Sequence, residues 1–242
     1  FACGGDGTVN EVANGIAGSS SILSVIPAGT GNDFIKSLFS TSRDSEIIDR
    51  IFEYETKMID TADIDGRIFV NVASLGFDTI VGDKAKRMVA KARFLGGSAY
   101  FLAIFVCLFG KNFSKVRFTF KCSDNEGREY EVSESKEFVL AALANGGHYG
   151  GMFYPCPDAK LDDGLIDVCI VDRISIPKIL SMIPKYIKGS HTSNKAVRTY
   201  KVISGHIEGD GEKLLVNCDG ESFVSDSIRF GITPGNINVA YY

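Results

Sequence analysis

The chain of 242 residues has no tryptophan, only three histidines and only six cysteines, and its charges nearly balance. The histidines lie far apart and the cysteines form no C-x-x-C pair, which leaves little support for a zinc cluster or a disulfide framework. The formal net charge of -4 provides no basic field for nucleic acid. We therefore expect reduced core cysteines, a cytoplasmic location and no nucleic-acid partner.

Two common signatures of nucleotide-binding loops are also missing. No Gly-Lys-Ser or Gly-Lys-Thr follows a glycine loop, which excludes a Walker loop. The G-x-G-x-x-G spacing of a dinucleotide-binding turn is absent as well. With 45% hydrophobic residues the chain can bury a sizeable core, so a nucleotide site would have to use other loops on a folded scaffold.

Two glycine loops stand near the start of the chain. The first glycine loop, residues 4–8, reads GGDGT, and the second glycine loop, residues 27–34, reads PAGTGNDF. Glycines let the backbone approach a ligand, and the unpaired N–H groups of a following helix attract an anion such as phosphate. Thr8 and Thr30 can donate hydroxyl hydrogen bonds to phosphate, whereas Asp6 beside phosphate implies a metal or a base. Two ordinary capped turns between strand and helix are the alternative.

The patterns along the chain predict an α/β fold. Apolar spacing predicts helices over residues 9–17 and 45–52, and a third that starts in the second glycine loop and ends near residue 39. A buried strand is predicted over residues 22–26. This repeated order of strand, loop and helix indicates a partial parallel sheet with ligands at the strand ends. We therefore expect a nucleotide-binding domain over residues 1–58.

Farther along, the pattern changes to short alternating segments, which indicate an antiparallel β-sandwich domain over residues 59–242. The predicted strands are 57–64, 67–74, 115–122, 129–132, 138–144, 166–171, 200–208, 213–218 and 227–231. Asp65-Gly66 is predicted to join the first two as a hairpin turn. The apolar tail, residues 236–242, is either a last strand or a return to the first domain.

One stretch between these strands is unlike the others. Residues 83–93 carry five basic side chains and run into the apolar segment 94–110. A basic segment followed by an apolar one is typical of an element at a membrane surface, and a helix buried against the sandwich is the alternative. The apolar segment is slightly short for a spanning helix.

Further carboxylates lie in turns that contain glycine. Residues 219–221 read DGE after an apolar strand, but residues 210–212 have the same sequence, and a plain hairpin turn is an interpretation open to both. Residues 162–164 read DDG, and two adjacent acids suit a hard cation such as Mg²⁺. An ordinary turn is the alternative there too.

The two glycine loops together resemble the diacylglycerol kinase catalytic-domain family, the lipid kinases that also include sphingosine kinases. NAD kinases and phosphofructokinases are similar in the first loop. The second loop is what distinguishes the diacylglycerol kinase family from them. The resemblance extends to residues 71–78, 145–151, 160–165 and 219–221, so it covers nearly the whole chain. The family usually carries an earlier strand-helix-strand segment, so the resemblance implies a chain truncated at its N-terminus.

The resemblance also implies roles for particular residues. Asp219 would accept the proton of the substrate hydroxyl, and Asp6 would assist catalysis by helping to hold the metal. A structural magnesium would bind the side chain of Asp163 and the carbonyls of Lys160 and Leu165. The residues implied in binding ATP are Gly4, Gly5, Asp6, Gly7, Thr8, Asn10, Glu11, Gly29, Thr30, Asn32, Asp33 and Glu221.

The implied activity is an ATP- and Mg²⁺-dependent lipid kinase that phosphorylates the hydroxyl of diacylglycerol or a similar lipid. The alternatives are a kinase for a sphingoid base or another lipid alcohol, more remotely a NAD kinase, and a non-catalytic nucleotide-binding regulatory member. The implied partners are ATP and a lipid met during transient peripheral association with the membrane, and a homodimer is a further option. His148 is a weaker candidate base because nothing in the sequence orients it, and Asp78 has a capping or structural role by default.

Overall fold

The computed structural model of the protein describes residues 1–39, 47, 52–91, 98–108, 110 and 113–241. Its N-terminal part contains a two-stranded parallel sheet in which β1 (Ala2–Gly4) pairs with β3 (Val25–Pro27). Helix α1 (Asp6–Ile16) follows β1, and α2 (Asp33–Leu38) follows β3. The predicted parallel α/β unit is confirmed, while the predicted helix over 45–52 lies almost entirely outside the described residues.

The strand predicted over residues 22–26 is divided between two sheets. β2 (Ile22–Leu23) pairs in parallel with β13 (Ser227–Tyr241), whereas β3 pairs with β1. Asn238 and Val239 are the residues of β13 in register with β2. The end of the described chain therefore lies beside the N-terminal part of the molecule.

The second part is built on a large, mainly antiparallel sheet. Its other strands are β4 (Glu55–Ile64), β5 (Arg67–Phe69), β6 (Val72–Gly76), β7 (Ser114–Ser123), β8 (Glu129–Ala144), β9 (Ile166–Asp172), β10 (Val197–Gly209), β11 (Leu214–Cys218) and β12 (Glu221–Ser225). Their order is β12-β11-β6-β8-β7-β10-β13-β4-β5, and β9 pairs with both β8 and β10. Because β8 and β10 change partners along their length, the strands enclose one core that includes Phe69, Phe118, Phe120 and Leu143. The predicted fold class is confirmed.

The structure corrects the bounds of several predicted strands. The segments 129–132 and 138–144 form one continuous strand, because the polar residues between them pair along β7. Residues 67–74 instead belong to two strands, since the chain leaves the sheet at Val70 and Asn71. β13 extends far beyond the predicted 227–231, with an irregularity between Thr233 and Ile237. The Asp65-Gly66 hairpin turn is confirmed, with positive φ at both residues.

Three helices cover one face of this sheet. α3 (Phe77–Lys91) begins before the predicted basic segment 83–93 and overlaps it, and α4 (Ser98–Leu108) lies in the predicted apolar segment. α5 (Ile176–Ile187) is absent from the predicted elements. The buried side chains of these helices form a second core with β6, β8 and β9. This packing agrees with the buried-helix interpretation.

Helix α4 nevertheless carries apolar residues on its outer side as well. Leu102 and Val106 are 42% and 40% exposed and Phe105 is 60% exposed, whereas Ile104 and Leu108 are buried. In the part of the chain that the structure describes, every helix is too short or too polar to cross a membrane. The helix is thus part of the core and also presents an apolar face to solvent.

The six cysteines are free, and five of them are buried as expected. Cys3 is exposed, which corrects its predicted place in the core. It lies on β1, whose pairing within the described residues is with β3 alone, so one edge of this short strand is open.

Candidate active site

The two glycine loops lie directly against each other. Parallel pairing of β1 with β3 places Gly4 opposite Pro27, and the N–H of Ala28 donates to the carbonyl of Gly4 over 2.9 Å. A Cβ on Gly29 would collide with the Cα of Gly5, and a Cβ on Gly5 would lie 3.1 Å from the Cα of Gly29. Glycine is therefore needed here for the close approach of two backbones. The sheet brings together loops that are about twenty residues apart in sequence.

The first glycine loop leads directly into α1. Gly5 is the N-cap residue in an extended conformation, and no described side chain caps this end. The first hydrogen bond of the helix runs from the N–H of Val9 to the carbonyl of Gly5, over 3.1 Å. The N–H groups of the first turn thus have no partner within the helix, which is the condition that favours an anion. Thr8, in this turn, packs against Gly4, where a Cβ would meet its hydroxyl.

Asp6 and Asp33 converge on Gly31. The Asp6 Oδ1 accepts a hydrogen bond from the N–H of Phe34 over 2.9 Å, which ties α1 to the start of α2. A Cβ on Gly31 would lie 3.0 Å from the Asp6 Oδ2 and 3.2 Å from the Asp33 Oδ2. Burial raises the pKa of Asp6, and the nearby Asp33 carboxylate raises it further, against the hydrogen bond from Phe34. Two acids thus share a small space beside both loops.

The other predicted residues of the loops differ in exposure. Asn32 has a φ of 50° and is buried, and its Oδ1 accepts the N–H of Gly29 over 3.0 Å, so its side chain braces the second loop from inside. Thr30 and Glu11 are exposed. The second loop is therefore held at its centre by Asn32, and its Thr30 is exposed.

A third glycine loop, residues 145–151, joins the site from the large sheet. The Asp33 Oδ2 accepts the N–H of Gly151 over 2.7 Å, while the Lys36 Nζ donates to the Gly151 carbonyl over 2.7 Å and to the Asp33 Oδ1 over 3.0 Å. His148 stacks on Tyr154 with ring centroids 4.1 Å apart, and burial lowers the pKa of His148. The sequence contains no sign of this stacking, which orients the ring.

Asn71 connects the third loop to α2. Its Oδ1 accepts the hydroxyl of Ser37 over 2.9 Å, and its Nδ2 donates to the His148 carbonyl over 2.5 Å. Its own carbonyl accepts the N–H groups of Asn145 and Gly146 over 2.9 Å each. These contacts fix the position of the third loop relative to the other two.

Asp219 occupies the break between β5 and β6. Its Oδ2 accepts hydrogen bonds from the N–H of Val70 over 2.8 Å and from the Asn10 side chain over 2.9 Å. Its Oδ1 accepts the N–H of Val72 over 2.9 Å and that of Asn71 over 3.2 Å. The carboxylate thus connects the turn after β11 with α1 and with the residues between β5 and β6. Asn10, predicted as an ATP ligand, directs its amide to Asp219 and to the carbonyl of Ile68.

The environment of Asp219 perturbs its ionisation. Burial raises the pKa of Asp219 to about 6, and the hydrogen bonds from Val70, Val72 and Asn10 oppose this rise. The carboxylate therefore stays mainly ionised at neutral pH. Its four acceptor positions are matched by four N–H donors, so a substrate proton could reach it only if one donor moved. Glu221, predicted beside ATP, is exposed on β12, and the Lys86 ammonium donates to the carbonyl of Gly220.

The predicted magnesium turn at residues 160–165 is held by other contacts. The Asp163 Oδ2 forms an ion pair with the Lys201 ammonium at 3.0 Å, and its Oδ1 accepts the N–H of Leu165 over 3.2 Å. Asp60 braces the same turn by accepting the N–H of Gly164 over 2.7 Å. Within the described residues there is no group of three or more His, Cys, Asp or Glu side chains suited to a metal ion. A cation at Asp163 does not fit this arrangement, because the Lys201 ammonium holds the position.

Sequence reasoning missed Asp60, Lys201 and the donor role of Val70, Asn71 and Val72. Asp60 has one signal, because it is an acid inside an apolar strand, where burial requires partners. The backbone donors have no signal in the sequence, since every residue except proline carries a backbone N–H.

Two family models match the chain. Residues 1–64 match the diacylglycerol kinase catalytic domain, and residues 71–241 match the YegS C-terminal NAD kinase beta sandwich-like domain. The fold and the matches define a kinase of two parts, one carrying the glycine loops and one built on the large sheet. The chain belongs to the family of diacylglycerol kinases and YegS-like lipid kinases, which are phosphotransferases. The resemblance seen in the two glycine loops is confirmed.

Similar proteins come from several bacteria. A "Diacylglycerol kinase" of Mycobacterium tuberculosis is 31% identical, with 90% of this chain and 68% of that protein covered. A "Probable lipid kinase YegS-like" of Pseudomonas aeruginosa is 29% identical, with 98% and 74% covered. A crystal structure of a diacylglycerol kinase from Bacillus anthracis has a TM-score of 0.68 at 26% identity, with 99% of this chain and 75% of that chain covered.

Proposed function

We propose that the protein transfers a phosphoryl group from ATP to the hydroxyl of diacylglycerol or a similar lipid. The observation that carries the proposal is the contact between the first and second glycine loops at Gly5 and Gly29, in a chain of the lipid kinase family. Residues 1–58 would bind the donor and residues 59–242 the lipid. Phosphoryl transfer depends mainly on positioning and on electrostatic stabilisation, and adjoining loops with unpaired N–H groups suit that task.

The donor phosphates would lie on the N–H groups at the start of α1 and beside Thr8 and Thr30. The Asp6 Oδ2 lies on the side of Gly31, next to Asp33. Carboxylate oxygens suit Mg²⁺, so the Asp6 Oδ2 fits an ion that accompanies the phosphates, whereas Asp33 is already paired with the Lys36 ammonium. When bound, the ion would neutralise charge that develops on the phosphates. The raised pKa of Asp6 agrees with an acid that has no cationic partner among the described residues.

Asp219 is the proposed proton acceptor. With a pKa raised to about 6 it is ionised at neutral pH, and its pKa is closer to the working pH than that of an ordinary carboxylate. Asn10 is the one side chain among its four donors, so it is the donor that can move without disturbing the backbone. We propose that Asn10 yields its place to the substrate hydroxyl.

An apolar cleft supports the choice of a lipid. It lies between α3, α4, α5 and β8, its cavity volume is about 60 Å³, and Val81, Ile104, Leu140, Met182 and Ile183 are among its lining residues. Near it, α4 exposes Leu102, Phe105 and Val106, and α3 carries exposed Lys84, Lys86 and Arg87. An apolar face beside basic residues suits transient association with an anionic membrane surface.

The test is transfer of labelled phosphate from ATP to diacylglycerol, to sphingosine and to NAD, measured side by side on separated products. We expect labelled phosphatidate from diacylglycerol. Asp219→Asn should lower turnover by at least about a hundredfold, since general-base catalysis commonly contributes that much. Asp210→Asn is the matched control, because Asp210 lies in the same DGE sequence and should leave turnover unchanged. Transfer to NAD alone would overturn the lipid assignment.

A second candidate function is a regulatory protein that binds nucleotide without turnover. The observation that favours it is the full set of donors on Asp219, which leaves no vacant acceptor position. Calorimetric titration with ATP separates the two. Binding of ATP by the wild type with no transfer to any lipid would establish the regulatory function.

A further inference from the structure

The two adjacent acids that suggested a magnesium turn are each paired with a lysine. The Asp162 carboxylate lies 3.0 Å from the Lys57 ammonium, and the Asp163 carboxylate lies 3.0 Å from the Lys201 ammonium. The second pair is the less exposed one, since its side chains are 30% and 23% exposed, against 39% and 43% in the first. Lysine side chains thus supply a positive charge to both acids of the turn.

The position of Lys201 follows from the pairing of β9 with β10. Lys201 stands opposite Asp167 in this antiparallel register, so the two side chains lie on the same face of the sheet. The Lys201 Nζ is 2.9 Å from the Asp167 Oδ2 and 3.0 Å from the Asp163 Oδ2, and it donates to the Asp158 carbonyl over 3.5 Å. An ammonium has three N–H donors, and three oxygens face it here. Asp167 is only 8% exposed, so water screens these charges little.

Other hydrogen bonds hold the shape of the same turn. The Asp163 Oδ1 accepts the N–H of Leu165 over 3.2 Å, so both oxygens of this carboxylate have partners. The N–H of Gly164 donates to the Asp60 Oδ2 over 2.7 Å, and the N–H of Asp60 donates to the Leu161 carbonyl over 2.6 Å. Gly164 has a φ of 71°, which glycine adopts readily. The turn therefore has a set of protein contacts that needs no bound cation to complete it.

We propose that the Lys201 ammonium is the resident cation of this turn and takes the place of the structural magnesium that the family resemblance implies. A divalent cation on the Asp163 Oδ2 would meet the ammonium at close range, and like charges repel strongly in a half-buried site. Residues 160–165 are therefore held without Mg²⁺. The inference goes beyond the proposed function and does not rest on it, and the ion proposed beside Asp6 is then the Mg²⁺ that phosphoryl transfer needs.

The test is the midpoint temperature of thermal unfolding, measured without nucleotide in Mg²⁺ and in EDTA, for the wild type and for Asp163→Asn. We expect the same wild-type midpoint in both media, because a ligand stabilises a protein only where it binds the folded state. A rise in Mg²⁺ that Asp163→Asn abolishes would overturn the proposal. A rise that Asp163→Asn retains places the ion elsewhere and agrees with it. This comparison does not require any variant of Lys201 to fold.

Lys201→Ala should create a metal dependence in this turn. In EDTA its midpoint should fall by about 5 °C or more, since Asp163 and the buried Asp167 lose their counter-charge. Mg²⁺ should restore part of the loss, because carboxylates beside a carbonyl suit this ion, and Asp163→Asn added to the variant should cancel the restoration. Wild-type stability of Lys201→Ala in EDTA, or no response of this variant to Mg²⁺, would contradict the role of the ammonium.

Two further variants control for the effect of charge. Lys213→Ala removes an exposed lysine that lies 3.8 Å from Asp226, so it should unfold like the wild type in both media. Lys201→Arg keeps the positive charge and should be as indifferent to Mg²⁺ as the wild type. A response of Lys201→Arg as large as that of Lys201→Ala would show that the charge does not exclude the ion. Because the measurement contains neither ATP nor lipid, failure of phosphate transfer would refute the kinase function alone, and a metal at Asp163 would refute this inference alone.

Discussion

Two copies of the sequence Asp-Gly-Glu lie nine residues apart and have different surroundings. Asp210, between β10 and β11, is exposed and forms an ion pair with Lys115 at 2.6 Å, which lowers the pKa of Asp210. Asp219, between β11 and β12, has a φ of 42° and accepts four hydrogen bonds, and burial raises its pKa to about 6. One acid is in contact with solvent and a lysine, and the other is enclosed by backbone N–H groups.

The difference comes from what each turn meets. The first turn lies beside β7, where the side chain of Asp210 is exposed. The second turn lies against the residues between β5 and β6. There the N–H groups of three successive residues donate to Asp219 and not to a neighbouring strand. Identical residues thus acquire opposite pKa shifts, which shows that the neighbours decide the chemistry of the motif.

The largest effect that would test this contrast is the loss of stability in Asp219→Ala. The substitution leaves three backbone N–H groups and the Asn10 amide without an acceptor, so we expect the free energy of unfolding to fall by about 3 kcal/mol or more. Urea unfolding followed by circular dichroism measures it. Asp210→Ala, the matched control, should be close to wild type. Similar losses in both variants would erase the distinction between the two turns.

The next effect is the pH dependence of stability. Because the pKa of folded Asp219 lies above its ordinary value of 3.8, the folded protein holds this proton more tightly, and stability should decline as pH rises from about 4 to about 6. The decline from this group is about 2–3 kcal/mol, since one pKa unit is about 1.4 kcal/mol. Asp219→Asn should remove it. Asp210, whose pKa is lowered, contributes in the opposite sense. Urea titrations at pH 4, 5, 6 and 7 measure both, and a wild-type curve with no such component argues against a raised pKa.

A smaller effect is expected in Asn10→Ala. The Asn10 amide lowers the pKa of Asp219, so its removal should raise that pKa and move the acidic limb of the kcat/KM profile to higher pH. The loss of stability should be about 1 kcal/mol. Asn14→Ala is a suitable control, because the Asn14 amide donates to Asn10 and Ile68 but not to Asp219. An unchanged profile in Asn10→Ala would falsify the coupling.

The smallest effect is the difference in turnover between alanine variants of the two turn glycines, Gly211 and Gly220. Gly211 and Gly220 have φ values of 79° and 95°, which favour glycine, so alanine at either should lower stability by about 1 kcal/mol. Only Gly220→Ala should also reduce turnover, because it shifts the backbone that holds Asp219. Thermal unfolding and the phosphate-transfer assay give both quantities. Equal activity of the two variants would show that the position of Asp219 tolerates this change.

Much of the architecture was predictable because local patterns determine it. The glycine loops with their following helices, the parallel β1–β3 unit and the Asp65-Gly66 hairpin follow from turn chemistry and hydrophobic period. The division of residues 22–26 between two sheets was not predictable, since an apolar run does not specify its partners. The same holds for β8, which bridges a polar segment because β7 pairs with it there.

The candidate site was predictable in its residue types but less so in its contacts. Asp6 and Asp33 do lie together beside Gly31, whereas Asn10 points to Asp219 and Asp163 pairs with Lys201. His148 is oriented by stacking on Tyr154. These contacts join segments that are six to more than two hundred residues apart, so no local pattern contains them.

The sequence by itself determined the family, the fold class and the two glycine loops, because turns, helix starts and apolar periods are properties of neighbouring residues. Only the tertiary structure decided which of the two Asp-Gly-Glu turns is enclosed. The physical reason is that burial and hydrogen bonding depend on residues brought from distant parts of the chain. Those two quantities set the charge of a carboxylate and the groups that it can accept.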